Sequence, residues 1–380
     1  LQPRDSGGVP MMMLLLAIGC PPPEEEVEAY HCEKASGIIC RYAGNGVQAL
    51  GPDGIPAVES SAYLPQDVTF GPDGAGYFED WSNHRIRRVD PDGTVTTIAG
   101  LAFIGDGPEG PAETAGLNHP THIVFGPDDN LYFAAWHNSR VDKIDMNTGM
   151  LSFIAGDGTR DFGGDGGPAR DAKLDLPVGI AFDAEGILYI SDMANWRIRT
   201  VDLKGVIQTW AGTGEPGFSG DGGPASEAQF QSASGQSAPP SSRIIIADEV
   251  LYLADTNNHR IRMIDIETGI VNTFAGDGNA GTSGDGGPAT EARLFGPTDL
   301  AMGLDGELYI ADTENSCIRV VTPDGIINTF AGICGVPGRD GDGGPGSEAT
   351  LNKPYGVSLD AEGNVYIGDT YNNTIRVVYR

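Results

Sequence analysis

Asp67, His122 and Asp299 are the residues of this 380-residue sequence whose types and spacing best suit chemistry. Each stands two residues after a proline (Pro65, Pro120, Pro297) and ten before a tyrosine (Tyr77, Tyr132, Tyr309). Two carboxylates and an imidazole at equivalent places, if brought together, offer oxygen and nitrogen donors to a divalent cation. Such an oxygen-rich set takes Ca²⁺ more readily than zinc. His119, in His119-Pro120-Thr121-His122, is near enough in sequence to add a fourth ligand. A metal held there would polarise a substrate or activate water, the chemistry of a lyase or hydrolase. The corresponding residues elsewhere are Gly179, Ser242 and Gly356, which cannot extend the set. The plainer alternative is a few polar side chains at a wet opening, with no metal and no cofactor.

Other constellations point away from catalysis. Asp80, Asp192, Asp255, Asp312 and Asp369 each precede an asparagine by three residues. Five repeated copies suit a structural brace at a turn, because a catalytic group usually occurs once. Gly212-Thr213-Gly214-Glu215-Pro216-Gly217 and Gly276-Asp277-Gly278-Asn279-Ala280-Gly281 match a dinucleotide-binding glycine pattern. That loop works by opening a helix onto a pyrophosphate, and here each runs into another Gly/Pro turn. The Gly-Asp-Gly-Gly segments around Asp165, Asp221, Asp285 and Asp342 are single loops rather than tandem calcium-binding repeats. A turn whose Asp bonds nearby backbone N–H groups is the simpler reading. No nucleophile–base pair stands at a recognisable spacing.

The elements that position these residues are short strands. Between Pro177 and Gly212, four runs rich in aliphatic and β-branched residues are separated by Ala184-Glu185-Gly186, Met193-Ala194-Asn195 and Leu203-Lys204-Gly205. That is the pattern of a four-stranded antiparallel meander. The unit recurs: its tyrosine reappears at 77, 132, 189, 252, 309 and 366, at gaps of 55, 57, 63, 57 and 57 residues. Four-stranded units of this length predict an all-β fold, a six-bladed β-propeller. The sixth copy ends at Arg380 with three strands, and Gly37 to Gly44 matches the missing fourth. An N-terminal strand is thus expected to close the last blade and leave no long open edge.

Strand alternation then sorts the loops. Fourth-to-first and second-to-third connections share one face of the disc, around one mouth of the channel lined by the innermost strands. Asp67, His122 and Asp299 are expected at the centre of that face, as a ligand-binding site. The longest connection, an insertion from Gln231 to Ser242, lies on the same face.

The repeated pattern Leu-Tyr-Ile-x-Asp-x-x-Asn-x-Arg-Ile-Arg, at Leu188–Arg199 and with Leu-Ala for Ile-x at Leu251–Arg262, resembles the NHL repeat. The Gly-Asp-Gly-Gly-Pro-Ala loops are similar to those of bacterial secreted NHL proteins and of the teneurin NHL domain. The resemblance covers residues 37 to 380 and implies the propeller fold, not one function. Copy two departs from it, with Ala135 for the Asp and Asp142 for the second Arg. The peptidyl-hydroxyglycine amidating lyase has a similar propeller with zinc on inner-strand histidines, but only His122 matches that pattern. Gluconolactonase-like propellers use channel asparagines that this ring lacks.

Composition narrows the partners. Lys plus Arg is 23 against 53 Asp plus Glu, a formal net charge of −30, which disfavours nucleic acid and anionic lipid. Met11 to Cys20 is a short apolar run suited to a signal-peptide core, and Leu16-Ala17-Ile18-Gly19-Cys20 resembles a bacterial lipobox, with lipid on Cys20. Residues 1–20 are then a signal peptide, 21–36 a tether and 37–380 the propeller. Export to the bacterial envelope, with membrane contact only through the lipid, leaves four cysteines in an oxidising compartment. Cys317 and Cys334 fall near one end of a hairpin, which leaves Cys32 with Cys40; free buried thiols are the alternative. The leading expectation is a binding scaffold for a protein or small ligand. Its rivals are a metal-dependent lyase or hydrolase and a structural subunit of a cell-surface assembly.

Overall fold

The structure is a computed structural model that describes residues 30–233 and 239–380; Cys20 and part of the Gln231 to Ser242 insertion lie outside the described residues. Cys32–Arg380 is one compact unit of six antiparallel sheets. In blade 3 the strands are Pro177–Phe182, Leu188–Asp192, Arg197–Val201 and Ile207–Ala211, paired in sequence order. All five residues of Leu188–Asp192 are buried, because the blade is covered on both faces by its neighbours. Ile190 and Leu188 pack with Tyr132, Val141 and Ala155 of blade 2, while Tyr189 packs with Ile244 and Leu251 of blade 4. A strand buried on both faces reads as a continuous apolar run rather than an alternation. The tight turn after Phe182 needs Gly186, whose φ of 85° lies in the left-handed region.

The ring closes as the repeat count requires. Ile39–Ala43 pairs antiparallel with Thr374–Val378, in the register Ile39↔Val378 to Ala43↔Ile375. In four blades the residue after the second-to-third 3₁₀ turn accepts a hydrogen bond from the next blade's backbone. His84 Nδ1 accepts from His119 N at 3.3 Å, His259 Nδ1 from Gly296 N at 3.2 Å and Ser316 Oγ from Lys353 N at 3.2 Å. Asn373 Oδ1 accepts from Leu64 N at 3.0 Å, which ties the last blade to the first. Cys317 is joined to Cys334 and Cys32 to Cys40, with Cα separations of 5.0 and 5.9 Å. The second bond ties Cys32, inside the segment read as a tether, to the closing strand.

The glycine loops differ from expectation. Two-residue segments ending in proline, Gly-Pro in three blades, such as Gly223-Pro224 against Ile270-Val271, and Ile55-Pro56 in blade 1, add a short fifth strand to the outer edge of four blades. In blades 3 and 6 the contact is a single bridge, Pro168↔Val206 and Ile38↔Pro345. The loops therefore descend the rim instead of encircling the channel. Their Asp pairs with a buried third-strand arginine instead of the nearby backbone N–H groups expected. Asp165 Oδ1 accepts from Arg199 Nη2 at 2.6 Å, and its other oxygen accepts from Thr209 at 2.8 Å. Arg199 Nη1 donates on to Asp192 at 3.2 Å, and Asn195 also donates to Asp192 at 2.9 Å. The Asp–Arg–Asp chain recurs at Asp221–Arg262–Asp255, Asp285–Arg319–Asp312 and Asp342–Arg376–Asp369. The brace expected of the Asp-x-x-Asn turns is thus half of a charge network that holds the rim loop to the blade. Blade 2 lacks it: Asp142 replaces the arginine and is buried, its Oδ1 without a hydrogen-bond partner among the described residues.

Candidate functional site: the channel ring

The innermost strands approach so closely that two ring positions accept only glycine. A Cβ on Gly179 would stand 2.9 Å from Arg243 Cα, and one on Gly356 would stand 2.0 Å from the Gln66 carbonyl oxygen. Six equivalent residues meet here, and the register assigns them. In blade 3, Gly179 pairs with Ser191, two residues after the conspicuous tyrosine; in blade 5, Asp299 pairs with Ala311, and in blade 6, Gly356 with Gly368. In blade 4, Ile244 pairs with Leu253 and the Arg243 carbonyl accepts from Ala254, so the ring residue is Arg243.

Ser242 is therefore misplaced by one residue in the sequence reading. The reason is a shorter turn: five residues separate Phe182 from Leu188, but only four separate Ile246 from Leu251, the corresponding pair. Counting back ten residues from Tyr252 overshoots by one. Ser242 is instead held outside the ring by Thr256 Oγ1, which accepts from its N–H at 3.0 Å.

Arg243 changes the chemistry of the site. Its Nη1 donates to Asp299 Oδ2 at 3.1 Å and stands 3.8 Å from Asp67 Oδ2, while Nη2 donates to Gln66 at 3.1 Å and to the Thr121 carbonyl. One guanidinium thus joins blades 4, 5, 1 and 2. His122 Nε2 lies 3.7 Å from Asp67 Oδ2, and its Nδ1 accepts from Ile180 N at 3.1 Å, which places the ring proton on Nε2. Glu79, from the second strand of blade 1, completes the cluster by accepting from Asp67 N at 3.1 Å. The expected trio of Asp67, His122 and Asp299 does converge. It converges on a fixed cation, and among the described residues no group of three His, Cys, Asp or Glu is arranged to hold a metal ion.

His119 does not join them. Its ring packs 4.3 Å from Trp81, 4.2 Å from His84 and 4.8 Å from His137 at the seam of blades 1 and 2. His119 stands in the left-handed region, with φ 58°, just before the strand Pro120–Phe125 begins, whereas His122 lies within that strand.

Burial sets the protonation of the ring. Asp67, His122, Arg243 and Asp299 are exposed by 4, 5, 1 and 1 %, so none can meet a macromolecular partner. Burial, followed by repulsion from Asp299, holds the Asp67 carboxyl well above its usual range. Burial pushes Glu79 up to about 8, even against the pull of Arg243. Burial and then Arg243 hold His122 well below its usual range, so the imidazole is neutral. Burial would lower Arg243, but the carboxylates of Asp299, Asp67 and Glu79 outweigh it and its pKa is raised. The cluster is a guanidinium among three carboxyls that share fewer than three negative charges. Glu79 Oε1 and Asp299 Oδ1 have no hydrogen-bond partner among the described residues.

Sequence reasoning missed Arg243, Glu79 and Gln66. Glu79 was visible in principle, since the corresponding places are Ala134, Ser191, Ala254, Ala311 and Gly368. An acid at an otherwise small, uncharged position calls for a partner across the channel.

Comparison with known proteins agrees with this architecture. Residues 51–219 match the teneurin NHL domain and residues 296–321 match the NHL repeat. NHL repeat-containing protein 2 of Bos taurus is 28% identical over 312 residues, which cover 74% of this chain and 42% of that protein. Human teneurin-1 is 26% identical over 387 residues, 90% of this chain and 13% of teneurin-1. The chain therefore spans less than half of each of these relatives. Among solved structures, an auxiliary nutrient binding protein from Bacteroides thetaiotaomicron superposes with a TM-score of 0.64 at 18% identity, over 90% of this chain and 75% of that one. That likeness concerns the fold alone. Six copies of one blade, closed by the N-terminal strand and matched to these sequences, place the chain in the NHL-repeat β-propeller family.

Proposed function

We propose that this propeller is an exported, lipid-anchored binding scaffold that engages a partner through the face bearing the fourth-to-first and second-to-third connections. The observation that carries the reading is where apolar surface is left uncovered. Fourteen large apolar side chains are exposed among the described residues; Met150, Leu203 and Leu304 lie on the other face, and the remaining eleven lie in these connections. Scattered exposed apolar residues are normal, whereas concentration on one face marks an interaction surface. Loops on a rigid ring suit recognition. Arg243, seated among the channel carboxyls, speaks against a metal-dependent lyase or hydrolase there. Two disulfides and the lipobox-like segment ending at Cys20 support export.

The test is site-specific photocrosslinking in cells. Photoreactive residues placed one at a time at Phe103, Phe162, Phe218 and Ile333 should trap a partner from at least one site, and one at Leu203 should not. Trapping at Leu203 equal to that at the loop-face sites, or at Leu203 alone, defeats the reading. Incorporation of an alkyne fatty acid, abolished by Cys20→Ser, tests the anchor.

A further inference from the structure

The loop-bearing face is not uniform, and blades 1 and 2 differ from the rest in three independent ways. The first is a consequence of the missing brace. In blades 3 and 4 a loop phenylalanine lies over two third-strand arginines, the second of them buried: the ring of Phe162 is 4.0 Å from Arg197 and 4.9 Å from Arg199, and that of Phe218 is 3.9 Å from Arg260 and 4.8 Å from Arg262. Phe103 occupies the same place in blade 2, three residues before the loop Asp, but the second arginine there is Asp142. Phe103 and the adjacent Ile104 are 58 and 63 % exposed, against 38 and 40 % for Phe162 and Phe218.

The second concerns the channel rim. The residue that opens the second-to-third turn is Thr256, Thr313 and Thr370 in blades 4 to 6, and each hydroxyl donates to the next blade's proline carbonyl. In blades 1 and 2 it is Trp81 and Trp136, whose rings lie 5.7 Å apart. Neither indole N–H has a hydrogen-bond partner among the described residues. Buried donors left unpaired are uncommon and cost free energy that an incoming carbonyl would restore. The exposed loop and the tryptophans are continuous: Ile104 bridges to Leu117, Asn138 donates to the Gly105 carbonyl at 3.0 Å, and His119 packs on Trp81.

The third is charge. In the loop-face connections of these blades, residues 44–66 and 100–119, Asp53, Glu59, Asp106, Glu109 and Glu113 are exposed and no Lys or Arg occurs. Arg87, Arg140 and Arg170 pair with Asp53, Asp106 and Glu109, which leaves Glu59 and Glu113 without a salt-bridge partner among the described residues. Burial and the neighbouring His84 and His137 push His119 down to about 3, so its imidazole adds no positive charge.

We infer that the seam of blades 1 and 2 is an anchor site for a basic polypeptide segment, which seats an aromatic or aliphatic side chain against Phe103, Ile104 and Trp81 between flanking Lys or Arg residues. The apolar anchor follows from the uncovered side chains and the flanking cations from the acidic, lysine-free surroundings. A second copy of this chain fits poorly, because its own charge of −30 is repelled. The inference rests on the proposal that this face binds, and it names the sector and the partner's chemistry.

Selection of displayed random dodecapeptides on the full chain tests it. Enriched peptides should place Lys or Arg on both sides of an aromatic or aliphatic residue. Phe103→Ser with Ile104→Ser should weaken them at least tenfold, as should raising salt from about 0.05 to about 0.5 M. Both substitutions are at exposed positions, and an unchanged melting curve confirms that the variant is folded. Trp81→Phe, which keeps a ring but removes the N–H, should weaken binding severalfold. Peptides that instead depend on Phe218 or Ile333 overturn this sector while leaving the loop-face proposal intact. Enrichment indifferent to every loop-face substitution, or no enrichment, overturns both. Binding of neutral glycans rather than peptides, or dimerisation abolished by the Phe103/Ile104 variant, overturns the basic-segment assignment.

Discussion

Arg243 donates to Asp299 at 3.1 Å across the seam between blades 4 and 5, in the middle of the propeller channel. The same guanidinium bonds Gln66, 177 residues away, so a single side chain spans the ring near its axis. A buried ion pair adds little when compared with an apolar pair, but removing one partner is expensive because the other charge stays behind.

Arg243→Met should therefore destabilise the propeller by about 3–5 kcal/mol at neutral pH. Thermal unfolding of the variant checks this. A loss below about 1 kcal/mol would mean that the carboxyls do not depend on the guanidinium.

The pH dependence follows from Glu79. Its carboxyl is raised from 4.5 to about 8 in the folded state, so the fold holds a proton that the unfolded chain releases earlier. Stability from this group is fully present below about 4.5 and is lost as pH rises through about 8. Asp67 is shifted in the same direction. Denaturant midpoints should fall as pH rises from about 4.5 to about 8, and Glu79→Gln should flatten that fall. An unchanged slope in the variant removes Glu79 as its source.

The rim brace of blade 3 predicts an asymmetry. Asp192→Ala leaves Arg199 buried beside one remaining, half-exposed partner and should cost about 3 kcal/mol. Replacing Asp192 and Arg199 together with apolar residues of matched size should cost less than Asp192→Ala alone. Chemical unfolding of both variants decides it, and equal losses would exclude charge pairing as the reason for the brace.

Closure makes a fourth prediction. Removing residues 1–44 deletes the closing strand, exposes the edge of Thr374–Val378, removes the fully buried Ile39 and breaks the Cys32–Cys40 bond. The melting temperature should drop sharply. A truncated chain that melts with the intact one would contradict a closed ring.

Legibility in the sequence followed locality. Strands, turns and copy number were readable because each blade is built from contacts within about sixty residues, and six repetitions of Tyr, Asn and Gly make the period plain. The closing strand was readable for the same reason, as a displaced copy of a known piece. Pairing of Cys317 with Cys334 needed only the geometry of one hairpin. The rim brace was half readable: repetition marked Asp192 as structural, but its arginine and the loop Asp165 meet only when the glycine loop folds down the edge.

The sequence by itself determined an NHL-type ring and the convergence of Asp67, His122 and Asp299, since equivalent positions in equivalent blades must meet at the axis. Only the tertiary structure decided what they meet. One residue fewer in the turn between Ile246 and Leu251 rotates Arg243, not Ser242, into the channel, because successive side chains of a strand point to opposite faces. That shift puts a guanidinium where a metal was expected, and it depends on pairing between strands that no spacing from proline to tyrosine reports.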